Sequence, residues 1–332
     1  MDDSATNRCG YTWPEDYEAG DDPGRRDPRH QSCCFRETLS DTDRCAWHAD
    51  PDDTDEKTVQ TLRDGRVDAD TRRQTDVGGP DSVFTAVELL DGANLSGLEL
   101  EDGLSLNRVA LREADLSDVD LTNADLSSAY MLTADLSDAY LVNADLSDAY
   151  LYKADLTDAY LVNSDLRGAD LTRADLTNAY LSNSDLIDTN FEGANLTDVN
   201  LERATLLGTN LSNTDLTGIR PYGARITDVE IDYRTDLHTN RSEYASWWQR
   251  GGLQPAPRCG YDLELREGST NEDTDREELL TKAADTYTKL EKLAGNNSRP
   301  SLERSMVIRR KEMEKKLHRT RKERSHHARA VI

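Results

Sequence analysis

An apolar residue recurs every five positions through the middle of the chain. These central residues run from Leu106 to Leu216 and are leucine except at Met131 and Phe191, and from Val109 onward the residue two positions before each one is small or β-branched. Steps of five residues rotate by about 500° around an α-helix and alternate between the two sides of a flat strand, so neither element gathers them on one face. A chain that turns a corner in every repeat does gather them. The pattern therefore predicts a solenoid with the central and small residues inside.

The other three positions of each repeat face outward and hold mainly Asp, Asn, Ser, Thr and Gly, which tight turns accept readily. Weaker copies extend upstream through Leu95 and Leu100, with one inserted residue near Gly103, and downstream to Ile231. This tandem A-D/N-L-x-x motif over residues 93–233 resembles the pentapeptide repeat family. The resemblance implies a mainly β fold, a right-handed quadrilateral β-helix with four repeats per coil and about seven coils.

A ten-residue period lies on top of the five-residue period, because the residue before the central one alternates between Asp and Tyr. With twenty residues per coil, Tyr140, Tyr160 and Tyr180 are predicted to stack on one face. Tyr130 and Tyr150 are predicted to stack on the opposite face, with columns of Asp on the faces between. The tyrosine rows are candidate partner surfaces, and the alternative is that they only brace neighbouring coils.

The chain of 332 residues carries 65 Asp and Glu against 40 Lys and Arg, for a net charge of -25, and 36% of its residues are hydrophobic. This composition predicts a salt-adapted cytoplasmic protein whose acidic exterior keeps it hydrated, and it argues against direct binding of duplex DNA by the rod. The alternative is that the rows of carboxylates imitate the phosphate backbone of DNA, as in pentapeptide proteins that occupy the DNA site of gyrase. Screening in concentrated salt, where the Debye length is about 3 Å, favours the first interpretation.

Four of the five cysteines lie near the beginning of the chain. Cys45 and His48 have C-x2-H spacing, and Cys9 with one of the adjacent Cys33 and Cys34 would complete a tetrahedral Cys3His site for structural zinc. The segment resembles the Cys/His knot that precedes pentapeptide arrays in some archaeal proteins. That resemblance implies Cys34 as the third cysteine ligand and leaves Cys33 as the alternative. Reduced, unliganded thiols in an acidic tail are the competing interpretation.

The ends of an open solenoid need covers, because they expose unpaired strand edges. A short helix is predicted from Asp81 to Leu90 at the first coil, and Tyr244, Trp247 and Trp248 are predicted to cap the last one. Further on, apolar residues at three- and four-residue spacing predict an antiparallel helical hairpin. The predicted organisation is a zinc-binding Cys/His segment (1–50), a disordered acidic linker (51–80), a capping helix (81–92), the β-helix (93–233), an aromatic cap and linker (234–270), and the hairpin with a basic tail (271–332).

The last helix is basic, in contrast to the rest of the chain. It suggests contact with a membrane surface, with a channel partner, with nucleic acid or with the acidic rod itself. The basic residues concerned are Arg309, Arg310, Lys311, Lys315, Lys316, Arg319, Arg321 and Lys322.

No spacing of a nucleophile and a base is visible, so the sequence favours a non-catalytic scaffold that binds a protein partner. One alternative is a DNA-mimic modulator of a topoisomerase. The other is a soluble relative, or a shortened form, of the regulatory domain of a pentapeptide-linked ion channel, an arrangement that related archaeal proteins suggest. The scaffold is expected in the cytoplasm, with peripheral contact to a membrane as the variant that the basic tail suggests.

Overall fold

The computed structural model describes residues 88–100, 105–232, 234–235, 259, 261, 273–298 and 300–330. Its strands are β1 (Glu88–Leu89), β2 (Val109–Ala110), β3 (Thr205–Leu207) and β4 (Arg225–Thr227), and its helices are α1 (Asp273–Asn296) and α2 (Pro300–Ala330). Strands β1 and β2 pair in parallel, as do β3 and β4. Between them, parallel pairing continues as isolated bridges, because each repeat contributes only a short extended stretch before the chain turns.

The pairing register gives the length of a coil directly. From the pair Ala110 and Tyr130 onward, bridged residues are 20 positions apart, which is four repeats of five. Upstream the separation is 21, as between Asn94 and Asp115. The difference confirms the predicted insertion of one residue near Gly103.

Each corner of the coil is a tight turn that begins at the central residue. The carbonyl of Leu111, for example, accepts a hydrogen bond from the N–H of Ala114 at 3.3 Å. Two residues after the centre the backbone enters the left-handed region, with φ between 52° and 62° at non-glycine positions and 72° at Gly218. A positive φ at the third residue of a turn is the mark of a type II turn. Because Gly, Asn and Asp enter this region most easily, the turn explains why they recur at this position.

The core is a stack of central residues, none of which is more than 3% exposed between Leu106 and Leu216. The small residues two positions earlier are also buried, and several carry hydroxyl groups. The threonine hydroxyls donate to the carbonyl of a central residue in the preceding coil: Thr189 Oγ1 lies 2.8 Å from the Leu166 oxygen, and Thr209 Oγ1 lies 2.8 Å from the Leu186 oxygen. The Ser164 hydroxyl instead donates to Leu161 of its own turn at 2.7 Å. Buried polar groups in this column are therefore paired, as burial requires.

The entry to the solenoid differs from the prediction. Glu88 and Leu89, expected at the end of a capping helix, form β1 and pair with β2. Leu90 is fully buried and joins the core. Residue Leu90 sits five positions before Leu95 and fills a central position, so the repeat pattern prevails over the helical spacing and the solenoid begins earlier than residue 93.

The predicted helical hairpin is present at the other end. Arg310 Nε lies 2.8 Å from Glu291 Oε2, and Arg321 Nε lies 2.8 Å from Glu277 Oε1, so partners descend along α1 as residues ascend along α2 and the helices are antiparallel. The apolar stripes predicted for the two helices lie between them and against the core. They comprise Leu280, Ala283, Tyr287, Leu290 and Ala294 on α1, and Leu302, Met306, Met313 and the partly buried Leu317 on α2.

Other predicted segments lie outside the described residues. They are the Cys/His segment, the acidic linker, the capping helix before residue 88, and the aromatic group Tyr244, Trp247 and Trp248.

Candidate functional site

The tyrosine columns form as the ten-residue period predicts. Tyr140, Tyr160 and Tyr180 stack with successive ring centroids 4.9 Å apart and planes within 3° of parallel. Tyr130 and Tyr150 stack on the opposite face at 4.8 Å. The ring spacing matches the spacing of about 4.8 Å between neighbouring strands, so the coil positions the rings.

These rings remain accessible despite their stacking. Tyr140, Tyr150 and Tyr180 are 45%, 44% and 41% exposed, and they are the most exposed aromatic side chains in the described part of the chain. The pKa of the Tyr160 hydroxyl is raised by desolvation and by its neighbours Tyr180 and Tyr140, with Asp138 and Asp158 adding to the shift. The Tyr160 hydroxyl therefore stays protonated at neutral pH and can donate a hydrogen bond.

Sequence reasoning missed the apolar residues that lie beside the tyrosines. In an A-Y-L-V-N repeat the tyrosine before and the valine after the central leucine both occupy outward positions, so Val142 and Val162, as the second residues of the turns, lie next to Tyr140 and Tyr160 along the chain. Both valines are half-buried. The sequence did contain a signal for these valines, because the residue after the centre is apolar in A-Y-L-V-N repeats and polar in A-D-L-S-D repeats. We call this surface aromatic face A and define it by Tyr140, Tyr160, Tyr180, Val142 and Val162.

The opposite surface has a different edge. Aromatic face B comprises Tyr130 and Tyr150 with Leu132 and Tyr152, which occupy the outward positions just after the central residues of the same repeats. Basic side chains flank it, with Lys153 Nζ 5.4 Å and the Arg173 guanidinium carbon 6.0 Å from the Tyr152 ring centroid.

Face A is bordered by different groups. Asp138 and Asp158 lie on one side, and a ladder of amides lies at the next corner, where Asn163 donates to Asn143 at 3.2 Å and Asn143 donates to Asn123 at 3.1 Å. The two aromatic faces therefore differ in charge at their rims.

The aspartates of the acidic faces have a local structural role. In each, Oδ1 accepts a hydrogen bond from the N–H two residues later, at 3.0 Å from Ser137 to Asp135 and at 2.9 Å from Thr157 to Asp155. This Asx geometry holds the start of the next turn. The aspartates thus stabilise the turns that follow them, although Tyr140 and the other tyrosines show that the turn also forms without this hydrogen bond.

Some acidic columns are interrupted. Arg167 pairs with Asp165 of its own repeat and lies 4.0 Å from Asp185 of the next coil. Its guanidinium lowers the pKa of Asp165, although burial acts in the opposite direction and is the largest single influence. Further along, Thr205 occupies the position that follows Asp185 in the same column.

A cluster at the exit joins the solenoid to the hairpin, and we call it the cap cluster: Glu202, Tyr222, Tyr261 and Lys282. Glu202 Oε1 accepts hydrogen bonds from Tyr261 Oη at 2.8 Å and from Lys282 Nζ at 3.0 Å. Lys282 Nζ also lies 5.6 Å from the Tyr222 ring centroid and 5.7 Å from that of Tyr261. Burial raises the pKa of Tyr261, and its hydrogen bond to Glu202 raises it further.

Other contacts support the same junction. Asn297, just after α1, donates to the Val229 carbonyl at 3.0 Å and accepts from the Ile231 N–H at 3.2 Å. Cys259 is buried in this region, and its N–H donates to Tyr287 Oη at 3.2 Å. Within the described residues, α1 and the segments around it therefore contact the last coils, whereas the predicted aromatic cap lies outside those residues.

The basic residues of α2 separate into two groups. Four pair with glutamates of the hairpin: Arg309 and Lys316 with Glu312, Arg310 with Glu291 and Glu314, and Arg321 with Glu277. Lys311, Lys315, Arg319 and Lys322 are exposed to solvent. No described helix has the length and apolar character needed to cross a membrane.

The predicted zinc ligands Cys9, Cys34, Cys45 and His48, with Cys33 as the alternative, lie outside the described residues, so zinc binding stays a prediction. Within the described ranges no group of three or more His, Cys, Asp and Glu is placed to hold a metal ion.

Comparison with known proteins addresses the repeats. The protein-family model described as 'Pentapeptide repeats (8 copies)' matches this chain at residues 105–147, 134–168, 154–193 and 184–220. No curated protein sequence matches the chain. No catalytic family is indicated.

Among solved structures, QnrB1, a plasmid-mediated fluoroquinolone resistance protein, is 17% identical, with 51% of this chain and 99% of that chain covered and a TM-score of 0.25. Rfr23 from the cyanobacterium Cyanothece is 26% identical, with 45% and 88% covered and a TM-score of 0.20. HetL from the cyanobacterium Nostoc, involved in heterocyst differentiation regulation, is 25% identical, with 45% and 87% covered and a TM-score of 0.17. The family model thus matches within residues 105–220, less than half of the chain, and members of this family form right-handed quadrilateral β-helices.

Proposed function

We propose that the protein is a non-catalytic scaffold that binds a protein partner through aromatic face A. The observation that carries this proposal is the column of three stacked tyrosines, of which Tyr140 and Tyr180 are exposed and Tyr160 is half-buried, with valines beside it. Contiguous apolar surface on an otherwise polar protein is typical of interaction sites. Tyrosine is also enriched among the residues that dominate binding energy at interfaces.

The rigidity of the column supports the same function. Each ring is held by its neighbours one coil away and by the backbone bridges beneath it, as between Tyr140 and Tyr160. Because little side-chain freedom remains to be lost, ordering these rings on binding is inexpensive. The face therefore presents a preformed apolar strip with phenol hydroxyls available as donors.

The rim indicates the chemistry of the partner. Asp138 and Asp158 border one side of the tyrosines, and the amide ladder of Asn123, Asn143 and Asn163 borders the other. A complementary surface has an apolar centre, basic side chains along one edge and neutral hydrogen-bonding groups along the other.

We favour face A over the acidic faces as the functional surface. The acidic columns use one oxygen of each carboxylate to hold turns, as Asp135 and Asp155 do. Arg167 interrupts one of these columns by pairing with Asp165. A turn-forming role accounts for the aspartates, whereas no turn requires a tyrosine.

The chain itself offers conservative replacements for a test. Asn200 follows Tyr180 in the same column, so Tyr140→Asn, Tyr160→Asn and Tyr180→Asn together introduce a residue that this position already accepts. Asn195 likewise follows Asp175, so Asp135→Asn, Asp155→Asn and Asp175→Asn form a matched control on an acidic face.

Each full-length protein is immobilised and exposed to extract of the source organism at its native salt, and captured proteins are quantified. A partner that binds the wild type and the aspartate control but is weakened at least about 30-fold by the tyrosine variant supports the proposal, since one hot-spot residue contributes about 2 kcal/mol or more. Equal capture by all three proteins, with unchanged melting temperatures, contradicts it.

A further inference from the structure

The outward side of α2 carries a continuous row of positive charge. At about 100° per residue, Arg304, Lys311, Lys315 and Lys322 lie within about 20° of the direction opposite the buried Met313, and Arg319 lies within about 60° of it. All five are exposed. They span about 27 Å along the helix, since eighteen residues each rise about 1.5 Å. We call these five residues the basic ridge.

The acidic residues of α2 are kept off this ridge. Glu303, Glu312, Glu314 and Glu323 lie about 80–100° away, on the two flanks of the helix. Glu312 and Glu314 there pair with Arg309 and Arg310. By contrast, Arg304, Lys311, Lys315 and Arg319 form no ion pair with any residue that the structure describes. The glutamates therefore neutralise the flanks and leave the ridge charged.

The ridge also contains an exposed apolar residue. Ile308 is 65% exposed, the highest value among large hydrophobic residues in the described part of the chain. It lies about 40° from the centre line of the ridge. Isoleucine here does not contribute to the hairpin core, which is built from Met306 and Met313 on the other side of the helix.

The hairpin separates the ridge from the acidic solenoid. Helix α1 and the turn after it contact the last coils through Lys282, Asp285 and Asn297. Helix α2 packs on α1 with its buried stripe, and the ridge lies on the opposite side of α2. The positive face thus points away from the junction with the solenoid.

From this arrangement we propose that the basic ridge docks on the surface of an anionic lipid bilayer, with Ile308 entering the headgroup region. The ridge is straight and its flanks are neutralised by ion pairs, so it suits a flat anionic surface that touches the ridge alone. A DNA groove would instead surround the helix and bring phosphates against the flanking glutamates. The apolar stripe of α2 is occupied by α1, so attachment is electrostatic and superficial, and this surface acts independently of aromatic face A.

The test uses the full-length protein and vesicle flotation. Vesicles of phosphatidylcholine containing about 30% phosphatidylserine are compared with phosphatidylcholine alone, at about 0.1 M and about 0.5 M salt. We expect binding to the anionic vesicles that weakens at the higher salt and no binding to the neutral ones. Absence of binding to the anionic vesicles at the lower salt overturns the proposal.

Two triple variants with the same net charge separate the ridge from a general charge effect. The ridge variant carries Lys311→Gln, Lys315→Gln and Arg319→Gln, which remove charges from the ridge while keeping residues that form helices well. The solenoid variant carries Arg108→Gln, Lys153→Gln and Arg203→Gln, which remove three exposed positive charges from the solenoid. Since each basic residue near an anionic membrane contributes roughly a five-fold factor in partitioning, the ridge variant should bind on the order of 100-fold more weakly and the solenoid variant as the wild type does.

Further variants and a nucleic-acid control test the role of Ile308 and the alternative ligand of the ridge. Ile308→Ser should weaken partitioning several-fold, and single ridge substitutions should give graded losses if the triple variant loses helicity by circular dichroism. Equal loss in the ridge and solenoid variants overturns the proposal. Ridge-dependent binding of a single-stranded DNA oligonucleotide without binding to vesicles also overturns it and assigns the ridge to nucleic acid.

Discussion

Replacing a buried leucine in the middle of the solenoid with alanine would test how rigidly the neighbouring coils hold the core. Leu146 is fully buried, and Leu126 and Leu166 occupy the equivalent positions one coil to either side. Backbone hydrogen bonds fix these coils, with the Leu146 N–H 2.7 Å from the Asp165 oxygen and the Leu126 N–H 2.8 Å from the Asp145 oxygen. The neighbouring leucines therefore cannot move far into a space left beside them.

The expected loss follows from this rigidity. Leu146→Ala removes three carbon atoms from the core, which at about 0.8 kcal/mol each lowers the free energy of unfolding by roughly 2.4 kcal/mol. Leucine-to-alanine changes lose about 2–5 kcal/mol in total, and the larger values belong to sites where the cavity stays open. Because the ladders restrain collapse, we expect a loss of about 3–5 kcal/mol.

Urea unfolding followed by circular dichroism gives the free energy of unfolding for wild type and variant. Met131→Leu is the matched control, since it changes the shape of a fully buried central residue with little change in volume and should lose less than about 1.5 kcal/mol. A loss below about 1.5 kcal/mol in Leu146→Ala would refute the reasoning, because it would mean that neighbouring coils close on the gap despite their hydrogen bonds.

Three further predictions concern turns, hydroxyls and acid. Gly218→Ala should destabilise the protein by about 2 kcal/mol or more, since φ is 72° there and an added Cβ would lie 2.9 Å from Asp198 Cγ and 3.4 Å from its Cα; a melting temperature equal to that of wild type would contradict this. Thr189→Val should lose about 1 kcal/mol in urea unfolding, because the hydroxyl bond to Leu166 is lost while the carbonyl keeps its turn N–H; a loss above about 3 kcal/mol would argue against it. The pKa of Asp232 is subject to a burial effect that raises it, but backbone N–H and hydroxyl donors outweigh that effect and hold it below its ordinary value of 3.8. A lowered carboxyl pKa stabilises the fold above the unfolded pKa and ceases to do so as pH falls through the folded pKa. The difference in melting temperature between wild type and Asp232→Asn should therefore shrink below about pH 4, and a difference constant from pH 6 to pH 3 would contradict it.

The tyrosine faces were predictable from sequence, whereas part of their chemistry was overlooked. A period of five with twenty residues per coil places Tyr140 and Tyr160 in one column whatever the details of packing. Val142 and Val162 were not predicted as part of the face, because the ten-residue period was identified from the residue before each centre and not from the residue after it. Both valines occupy the outward position that opens the turn after the central leucine, next to the tyrosine of the same repeat.

The entry to the solenoid shows a limit of local pattern. Residues near Glu88 have spacing that suits an amphipathic helix, but they pair with β2 in the adjacent coil. An existing strand edge supplies hydrogen bonds that a short isolated helix cannot match, since short helices are marginal without tertiary support. The outcome depended on a partner about 21 residues away.

By itself, the sequence determined the repeat, the inward and outward positions, the stacking columns and the two helices, because each follows from a period that the chain must satisfy locally. The tertiary structure decided which charges are neutralised and which remain available. Arg310 and Lys311 are adjacent in sequence, yet one pairs with Glu291 across the hairpin and the other faces solvent. Ion pairing depends on which face of a helix meets its neighbour, and that relation exists only once the helices have packed.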